Sequence, residues 1–497
     1  MSEFIEQEFA SLNLGDQRRN DRLRRVLDSF LQFPRNSIQA ACCGWAESMA
    51  AYRLLNNGKV TLPAVLAPHR NATVARIGEF DSVALIQDTT ELDFTSKKAL
   101  QGPGPLAGSG NFRRGFFLHT QFAVTEDRIP LGVYDTHLYA REDSDPDEIK
   151  PHRQSLPIEE KESYRWLEGY RKACELATAT GGKTEIFSIS DREGDIYEIF
   201  EQRKLLLKQR GLDDVPPAHW IVRTVKDRVL TEPDPENEGK VIVQSETLFE
   251  KARGGTLLGE IRFTVTSKIQ TGKKITSKRK KTTSVRSRRE VKQEIRVIEV
   301  TPRIPYRSGG KKLLPVTWWV IDAREIDPPE GEEPIHWVLS TSWPVTDFEA
   351  AQRILRLYLA RWDIEVFHRV LKTGCRVEEI QLKTEEALRP CLAMYLIIAW
   401  RILYLTHLGR ECPDLPCSVV FEEAEWKAVV GIAVKRKMKA AATLENREPT
   451  LNEMILLVGA FGGHLGRKSD GPPGAQSMWQ GLTRVRDFAI AWEVFVG

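Results

Sequence analysis

The clearest periodicity in the chain lies in residues 350–374. Leu359, Val366, Phe367, Val370 and Leu371 recur at helical spacing, and at about 100° per residue they share one side of a helical wheel. Tyr358, Arg361, Glu365 and Lys372 fall within an arc of roughly 60° on the other side, with Arg369 at its edge. The pattern predicts one helix that packs by one face and presents a carboxylate flanked by cations on the other. Thr346 precedes it with Glu349 three residues later, which reads as an N-cap and capping box.

Elsewhere helical and strand patterns alternate. Residues 1–70 read as helical: Gly15-Asp16 caps a helix carrying Arg18, Arg19, Arg22, Arg24 and Arg25, and a second helix over 45–55 carries Tyr52 and Arg53. Residues 82–87 are a continuous apolar run, the mark of a strand buried on both faces, and it ends in Asp88-Thr89-Thr90. A Gly-rich loop over 101–110 leads into strands over 114–124 and 130–139, expected to pair antiparallel. A surface loop over 143–147 and a helix over 160–178 follow. A strand over 184–190 ends in Asp191-Arg192-Glu193-Gly194-Asp195. Then come a helix over 196–210 and a strand over 220–225.

This order (β, β, β, α, β, α, β) breaks at about residue 228 into short strands and polar loops. A strand resumes at His336-Trp337. After Gly374 the chain reads as helical to its end, with breaks at 413–416 and 462–474. The apolar run 391–403 carries Arg401, is too short to span a bilayer and reads as a buried helix. Three segments result: a helical one over 1–70, an α/β one over 71–375 with a β-rich insertion at about 228–335, and a helical one over 376–497.

A chain of 497 residues, 41% hydrophobic and 28% charged, has the size and composition of a soluble globular protein of two or three domains. The net charge of +3 does not by itself suggest nucleic acid, but its distribution does. Residues 268–289 hold ten Lys/Arg and no acid. Ordered or not, such a run binds phosphate, because each neutralised phosphate releases counterions. A small, arginine-rich helical segment at the N-terminus describes a DNA-binding unit, with a solvated helix face as the plain alternative. Seven scattered cysteines without CxxC spacing argue against a zinc site and for free thiols in a reducing cytoplasm. The acidic start (Glu3, Glu6, Glu8) is unlike a signal peptide, so a cytoplasmic location is expected.

Two strand-end aspartates, Asp88 and Asp191, and the helical Glu365 form the candidate reaction centre. Sites assemble at strand ends in α/β sheets. Carboxylates without histidine or thiolate partners suit Mg²⁺ or Mn²⁺. Two such ions about 3.5–4 Å apart clamp the attacking and leaving oxygens of a phosphoryl displacement. Arg361 and Lys372 then read as holders of DNA phosphates. Each acid also has a plain structural role open to it. Asp88 suits an Asx turn with Thr90. Asp191 or Asp195 suits the N-cap of the next helix, Asp195 being the better placed. Glu365 suits an i±4 pair with Arg361 or Arg369.

The spacing Tyr358-xx-Arg361-xxx-Glu365-xxxxxx-Lys372 resembles the Y-R-E-K signature of IS-four-type DDE transposases of the transposon-five kind. Asp88-Thr-Thr and Asp191-Arg-Glu-Gly-Asp-Ile resemble that family's first two acidic motifs, and Leu14-Gly-Asp-x-Arg18-Arg19 and Pro328-Pro-x-Gly-Glu-x-Pro resemble further stretches. The resemblance implies a ribonuclease-H-like mixed α/β sheet with a β-rich insertion, flanked by helical domains. It implies Asp88, Asp191 and Glu365 as ligands of two Mg²⁺ or Mn²⁺ ions. Tyr358, Arg361, Lys372, His368 and Arg369 become DNA-end contacts, with Arg369 standing where the family has lysine. Trp337, 21 residues before Tyr358, matches the tryptophan that stacks on a flipped base. Arg18, Arg19, Arg22 and Arg53 match end-binding positions, and Arg223 a phosphate contact. The activity implied is cut-and-paste transposition in bacterial cytoplasm at the nucleoid. A homodimer would bind inverted-repeat ends, cut them through a hairpin and join the 3′ ends to target DNA. A same-fold metal-dependent nuclease and a non-catalytic regulator of transposition are the alternatives.

Overall fold

The computed structural model describes residues 3–106, 112–143, 156–211, 214–237, 241–265, 289–306, 313–330, 332–444, 447–467 and 470–495. The basic run 268–288 and most of the 143–147 loop lie outside the described residues. The chain opens with helices α1 (Glu3–Glu8), α2 (Gln17–Gln32), α3 (Ile38–Cys42), α4 (Trp45–Leu55) and α5 (Leu62–Ile77). Strands β1 (Ser82–Asp93), β2 (Gly104–Pro105), β3 (Arg114–Thr125) and β4 (Pro130–Tyr139) follow. Next are α6 (Tyr164–Ala179), β5 (Glu185–Ser190), α7 (Tyr197–Gln209), β6 (His219–Arg223), β7 (Val229–Pro233), β8 (Val241–Thr247), α8 (Leu248–Arg253), β9 (Thr256–Val265), β10 (Arg289–Val300), β11 (Trp318–Glu325) and β12 (His336–Thr341). The rest is helical: α9 (Phe348–Leu359), α10 (Trp362–Arg369), α11 (Glu385–Glu411), α12 (Glu423–Lys435), α13 (Leu451–Phe461) and α14 (Ala475–Phe495). The protein is a mixed α/β chain with helices at both ends.

Packing divides it into two units. The first holds residues 1–149, 175–186 and 360–497, the second residues 150–174 and 187–359.

In the first unit, β3 pairs antiparallel with β1, setting Asp88 opposite Thr120, and antiparallel with β4, setting Phe117 opposite Tyr139. The expected 82–87 strand is real but longer. It runs on to Asp93, and its burial switches from continuous to partial at Asp88. Asp88 therefore marks where the strand leaves the core, not where the strand stops. Helix α5 lies close on β4 because residue 132 is glycine: φ is +153°, and a Cβ there would stand 2.0 Å from Thr73 Oγ1. Asp16 caps α2 as expected, accepting from the Arg18 N–H at 2.8 Å.

The apolar run 391–403 sits inside the 27-residue α11, which is long and apolar enough to cross a membrane by composition. In its most apolar window 83% of residues are buried within the protein, so it serves as a core helix. Its Trp400 Nε1 donates to the Pro130 carbonyl at 2.9 Å. Helices α12, α13 and α14 close a separate apolar cluster around Leu457, Val458 and Met478.

In the second unit the strands run β5-β6-β12-β11-β10-β9, parallel between β5 and β6 and antiparallel beyond. The β insertion predicted from about residue 228 supplies β7 to β11. Phe200 of α7 packs its ring 4.3 Å from Trp220 and 4.7 Å from Trp318, an aromatic knot on one face of this sheet.

The predicted single helix over 350–374 is three pieces. Helix α9 ends at Leu359, α10 starts at Trp362, and residues 370–374 widen into a π turn. At the break the bonding tightens: the Asp363 N–H donates to the Ala360 carbonyl at 2.9 Å, an i→i+3 bond. Neither Pro nor Gly marks this point. What the break secures is Asp363, buried in the first turn of α10, where its carboxylate accepts from the Arg128 Nε at 3.0 Å. The start also differs. Asp347, not Thr346, caps α9, accepting from the Ala350 N–H at 2.8 Å.

Candidate active site and nucleic-acid interface

In the first unit, Asp88 and Glu365 sit on elements that are tied together. Lys372 Nζ donates to the Glu91 carbonyl of β1 at 2.7 Å and pairs with Glu378 at 3.3 Å. Glu378 in turn accepts from the Asp93 N–H at 2.8 Å. Phe367 of α10 stacks on Phe122 of β3, with ring centroids 4.6 Å apart. The strand bearing Asp88 is thus tied at two points to the stretch that follows Glu365, and a third contact fixes α10 on the neighbouring strand β3. Asp88 is half-buried, and its Oδ1 accepts from the Thr89 N–H at 2.8 Å.

Glu365 is the exposed member of this group, with 43% of its side chain accessible. Its Oε1 accepts from Arg361 at 2.7 Å, the i±4 pair that spacing alone had left open. The Arg361 guanidinium also lies over the Trp362 ring, 4.9 Å from its centre. Arg361 is 8% exposed, so it reaches Glu365 from within the protein surface. Arg369 is exposed and Lys372 half-buried.

The expected common polar arc of Tyr358, Arg361, Glu365 and Lys372 is not realised, because the break at 360–361 separates Tyr358 from the others. Tyr358 belongs to α9 in the second unit and is 3% exposed, while Leu359, expected to pack, is exposed. His368, expected among the DNA contacts, is 6% exposed, and its Nε2 has no hydrogen-bond partner among the described residues. Burial, then the nearby Lys372 charge, pushes its pKa down to about 3, so it is a neutral core imidazole.

In the second unit, Asp191 follows β5 directly and caps a short 3₁₀ turn, accepting from the Glu193 N–H at 2.8 Å. Asp195 does not cap α7 as expected; Ile196 holds that position without a side-chain bond. Asp195 is buried instead, and one oxygen accepts from the Val225 and Lys226 N–H groups at 2.9 and 2.8 Å. Its other oxygen pairs with Arg228 at 2.5 Å. Three donors onto one buried carboxylate make a structural pin.

Sequence reasoning passed over Glu193. Burial, then the neighbouring Asp191 charge, raises its pKa, with the Arg165 charge acting against them. The signal was present, since Glu193 stands inside the same acidic motif. Glu378 had no such signal, because its tie to β1 spans 285 positions.

Trp337 is half-buried at the second position of β12, its ring edge-on to Tyr358 with centroids 6.4 Å apart. Arg223 Nη2 lies 3.5 Å from the His336 carbonyl beside it. These side chains form one patch of the second unit. At the N-terminus Arg18 and Arg53 are exposed and Arg22 is half-buried, whereas Arg19 donates to the Leu14 carbonyl and so braces the start of α2.

Asp88, Asp191 and Glu365 offer hard oxygen donors of the kind Mg²⁺ or Mn²⁺ takes. Among the described residues no group of three or more His, Cys, Asp or Glu side chains lies together as a metal-holding set.

Two family models match the chain, one at each end. Residues 1–60, spanning α1 to α4, match Transposase DNA-binding. Residues 397–493, from within α11 through most of α14, match Transposase Tn5 dimerisation domain.

Proposed function

This chain is a Tn5-like transposase, and from that premise we propose that it moves DNA by a cut-and-paste reaction on transposon ends. Residues 1–60 hold the inverted-repeat end through the exposed Arg18 and Arg53 together with Arg22. The C-terminal domain pairs two copies so that two ends are brought together. Asp88, Asp191 and Glu365 would be the residues to hold Mg²⁺ or Mn²⁺, which when bound would supply Lewis-acid stabilisation of the phosphate oxygens in an in-line displacement. Arg361, Arg369 and Lys372 hold the phosphates on either side of the bond that breaks. Trp337, backed by Tyr358, stacks on a base turned out of the terminal duplex while the freed 3′-hydroxyl attacks the opposite strand and closes a hairpin. Attack of water on the hairpin phosphodiester leaves a 5′-phosphate and restores the 3′-hydroxyl that joins target DNA.

What carries the reading is the lock between β1 and the Glu365 segment, in a chain whose two ends match DNA-binding and dimerisation domains. Two carboxylates from distant parts of the sequence are fixed on adjoining elements, one half-buried and one exposed. The test is cleavage of end-containing DNA with and without Mg²⁺. Glu365→Ala is expected to abolish cleavage while leaving end binding in chelator unchanged. Cleavage retained by this variant would remove Glu365 from the chemistry. Joining of cut ends to a target plasmid separates transposition from plain nuclease action.

A further inference from the structure

An open groove of about 670 Å³ lies in the first unit, away from Asp88 and Glu365 themselves. One wall comes from the end-binding helices: Gln39 of α3, Tyr52 of α4, and Asn56 just after it. The opposite wall comes from Lys97 and Lys98, on the turn after β1, and Lys383, just before α11. No acidic side chain lines the groove. Among the described residues none of the three lysines has a carboxylate within ion-pair distance. The nearby Glu385 is taken by Arg389.

This wall is built rather than loose. The Lys97 N–H donates to the Phe94 carbonyl at 2.8 Å and the Leu100 N–H to the Lys97 carbonyl at 2.9 Å, closing two successive turns. The Gln101 N–H then donates to the Lys383 carbonyl at 2.9 Å, which fixes one basic segment to the other. Leu100 and Leu382 are buried beneath them. Three lysines, Lys97 half-buried and Lys98 and Lys383 exposed, are therefore held on a fixed backbone in the same groove as a phenol and two amides. Asn56 Nδ2 already donates to the Tyr52 carbonyl at 2.8 Å, so the charges of the three lysines carry the match to phosphate oxygens.

We propose that this groove clamps the phosphate backbone of the same duplex that residues 1–60 bind, and so sets the bound end in register for cleavage. The proposal rests on the end-binding reading above. Its basis is the position of the walls. Lys97 and Lys98 lie a few residues beyond the strand that carries Asp88. Lys383 closes the stretch that begins with Glu365. The clamp turns attachment of the end into alignment, which matters because misplacing a reacting phosphate by about 1 Å costs on the order of 100-fold in rate.

The experiment uses the full chain and a 40-bp duplex taken from the terminus of the element that encodes it, with a scrambled duplex as control. Fluorescence anisotropy in EDTA is followed as KCl is varied. Neutralising three phosphate contacts changes the slope of log K against log[salt] by about 2.7, from about 0.9 per phosphate. The triple variant K97Q/K98Q/K383Q is therefore expected to bind at least about 10-fold more weakly at low salt, with a slope shallower by about 2–3. K97R/K98R/K383R, which keeps the charge, is expected to retain the wild-type slope. An unchanged slope and affinity in the glutamine variant, beside a wild type that prefers its own end, overturns the groove alone. Loss of target joining with end binding intact also overturns it, because the groove would then serve target DNA. A wild type that binds both duplexes equally overturns the end-binding reading beneath it.

Discussion

Arg361 donates to Glu365 at 2.7 Å across one turn, from a side chain 10% exposed to one 43% exposed. With its carboxylate partly exposed, an i,i+4 pair of this kind is worth on the order of 0.5–1 kcal/mol. Its purpose is therefore not stability. Glu365→Gln is expected to melt within about 2 °C of the wild type in differential scanning fluorimetry. Its metal-dependent end cleavage is expected to fall by roughly 10³-fold or more, on the scale of losing one group that stabilises transition-state charge. A melting point lowered by many degrees would make Glu365 a structural anchor instead.

Asp191 and Asp195 stand four residues apart and are expected to respond in opposite ways. Asp195 is buried with Arg228 and two backbone donors, so Asp195→Ala leaves a buried guanidinium without its carboxylate. That costs about 3–5 kcal/mol. Asp191→Ala loses one cap bond to a short turn, about 0.5–2 kcal/mol. Urea unfolding with an intact chain separates the two. Cleavage assays at 25 °C should find Asp191→Ala folded and inactive.

Much of the fold could be read from residue pattern. Helix α4 begins and ends at the predicted residues, the order from β1 to β6 matches except for the two-residue β2 inside the predicted Gly-rich loop, and β3 pairs antiparallel with β4. These features are local, with periodicity and turn residues close together in the chain. The break at Ala360–Arg361 could not be read in this way. Its cause is the burial of Asp363 against Arg128, which stands 235 positions away. The same limit hid the tie between Glu378 and β1 and the burial of His368, both of which depend on segments brought together only by folding. Three candidate acids were visible because a strand, a strand and a helix each ended or surfaced at them. Which of the neighbouring acids are structural, as Asp195 is, depends on donors that come from other elements.

Within the first unit, α1 is joined to α5 and β4 by a buried cluster with a defined pH response. Glu8 is buried between His69 and Arg76. Burial alone would raise its pKa, but the hydrogen bonds from His69 and Arg76 overcome this and hold it at about 2, against an ordinary value of 4.5. His69 Nε2 accepts from the Val133 N–H at 2.9 Å, so the proton lies on Nδ1 and is donated to Glu8. Burial correspondingly lowers the His69 pKa. For Glu8 the folded value lies below the unfolded one. Its contribution is therefore fully present above pH 4.5 and is lost as pH falls through that value towards 2. For His69 the unfolded state takes up protons first as pH falls below about 6.5, which acts in the same direction. Together they predict unfolding free energies that drop as pH falls from 6.5 to 3, with Glu8 alone contributing about 2 kcal/mol of that fall. Glu8→Gln should flatten that fall when denaturant unfolding is repeated across the pH range, and an unchanged profile would contradict the assignment.

Trp337 is expected to act on the DNA rather than on the fold. It is only half-buried and touches Tyr358 by its edge, which leaves ring surface for a base. Stacking on an aromatic ring is worth about 1–3 kcal/mol per base. Trp337→Ala is therefore expected to slow hairpin closure by roughly 5–150-fold while leaving the first nick near its normal rate. Trp337→Phe should recover part of the loss. A 2-aminopurine at the terminal position reports the event directly. The wild type is expected to quench it by stacking, and the alanine variant is expected to leave it bright if the base turns out or unchanged if the base stays paired. Equal hairpin rates in the wild type and the alanine variant would place Trp337 in the packing of β12 against α9 and nowhere in the reaction.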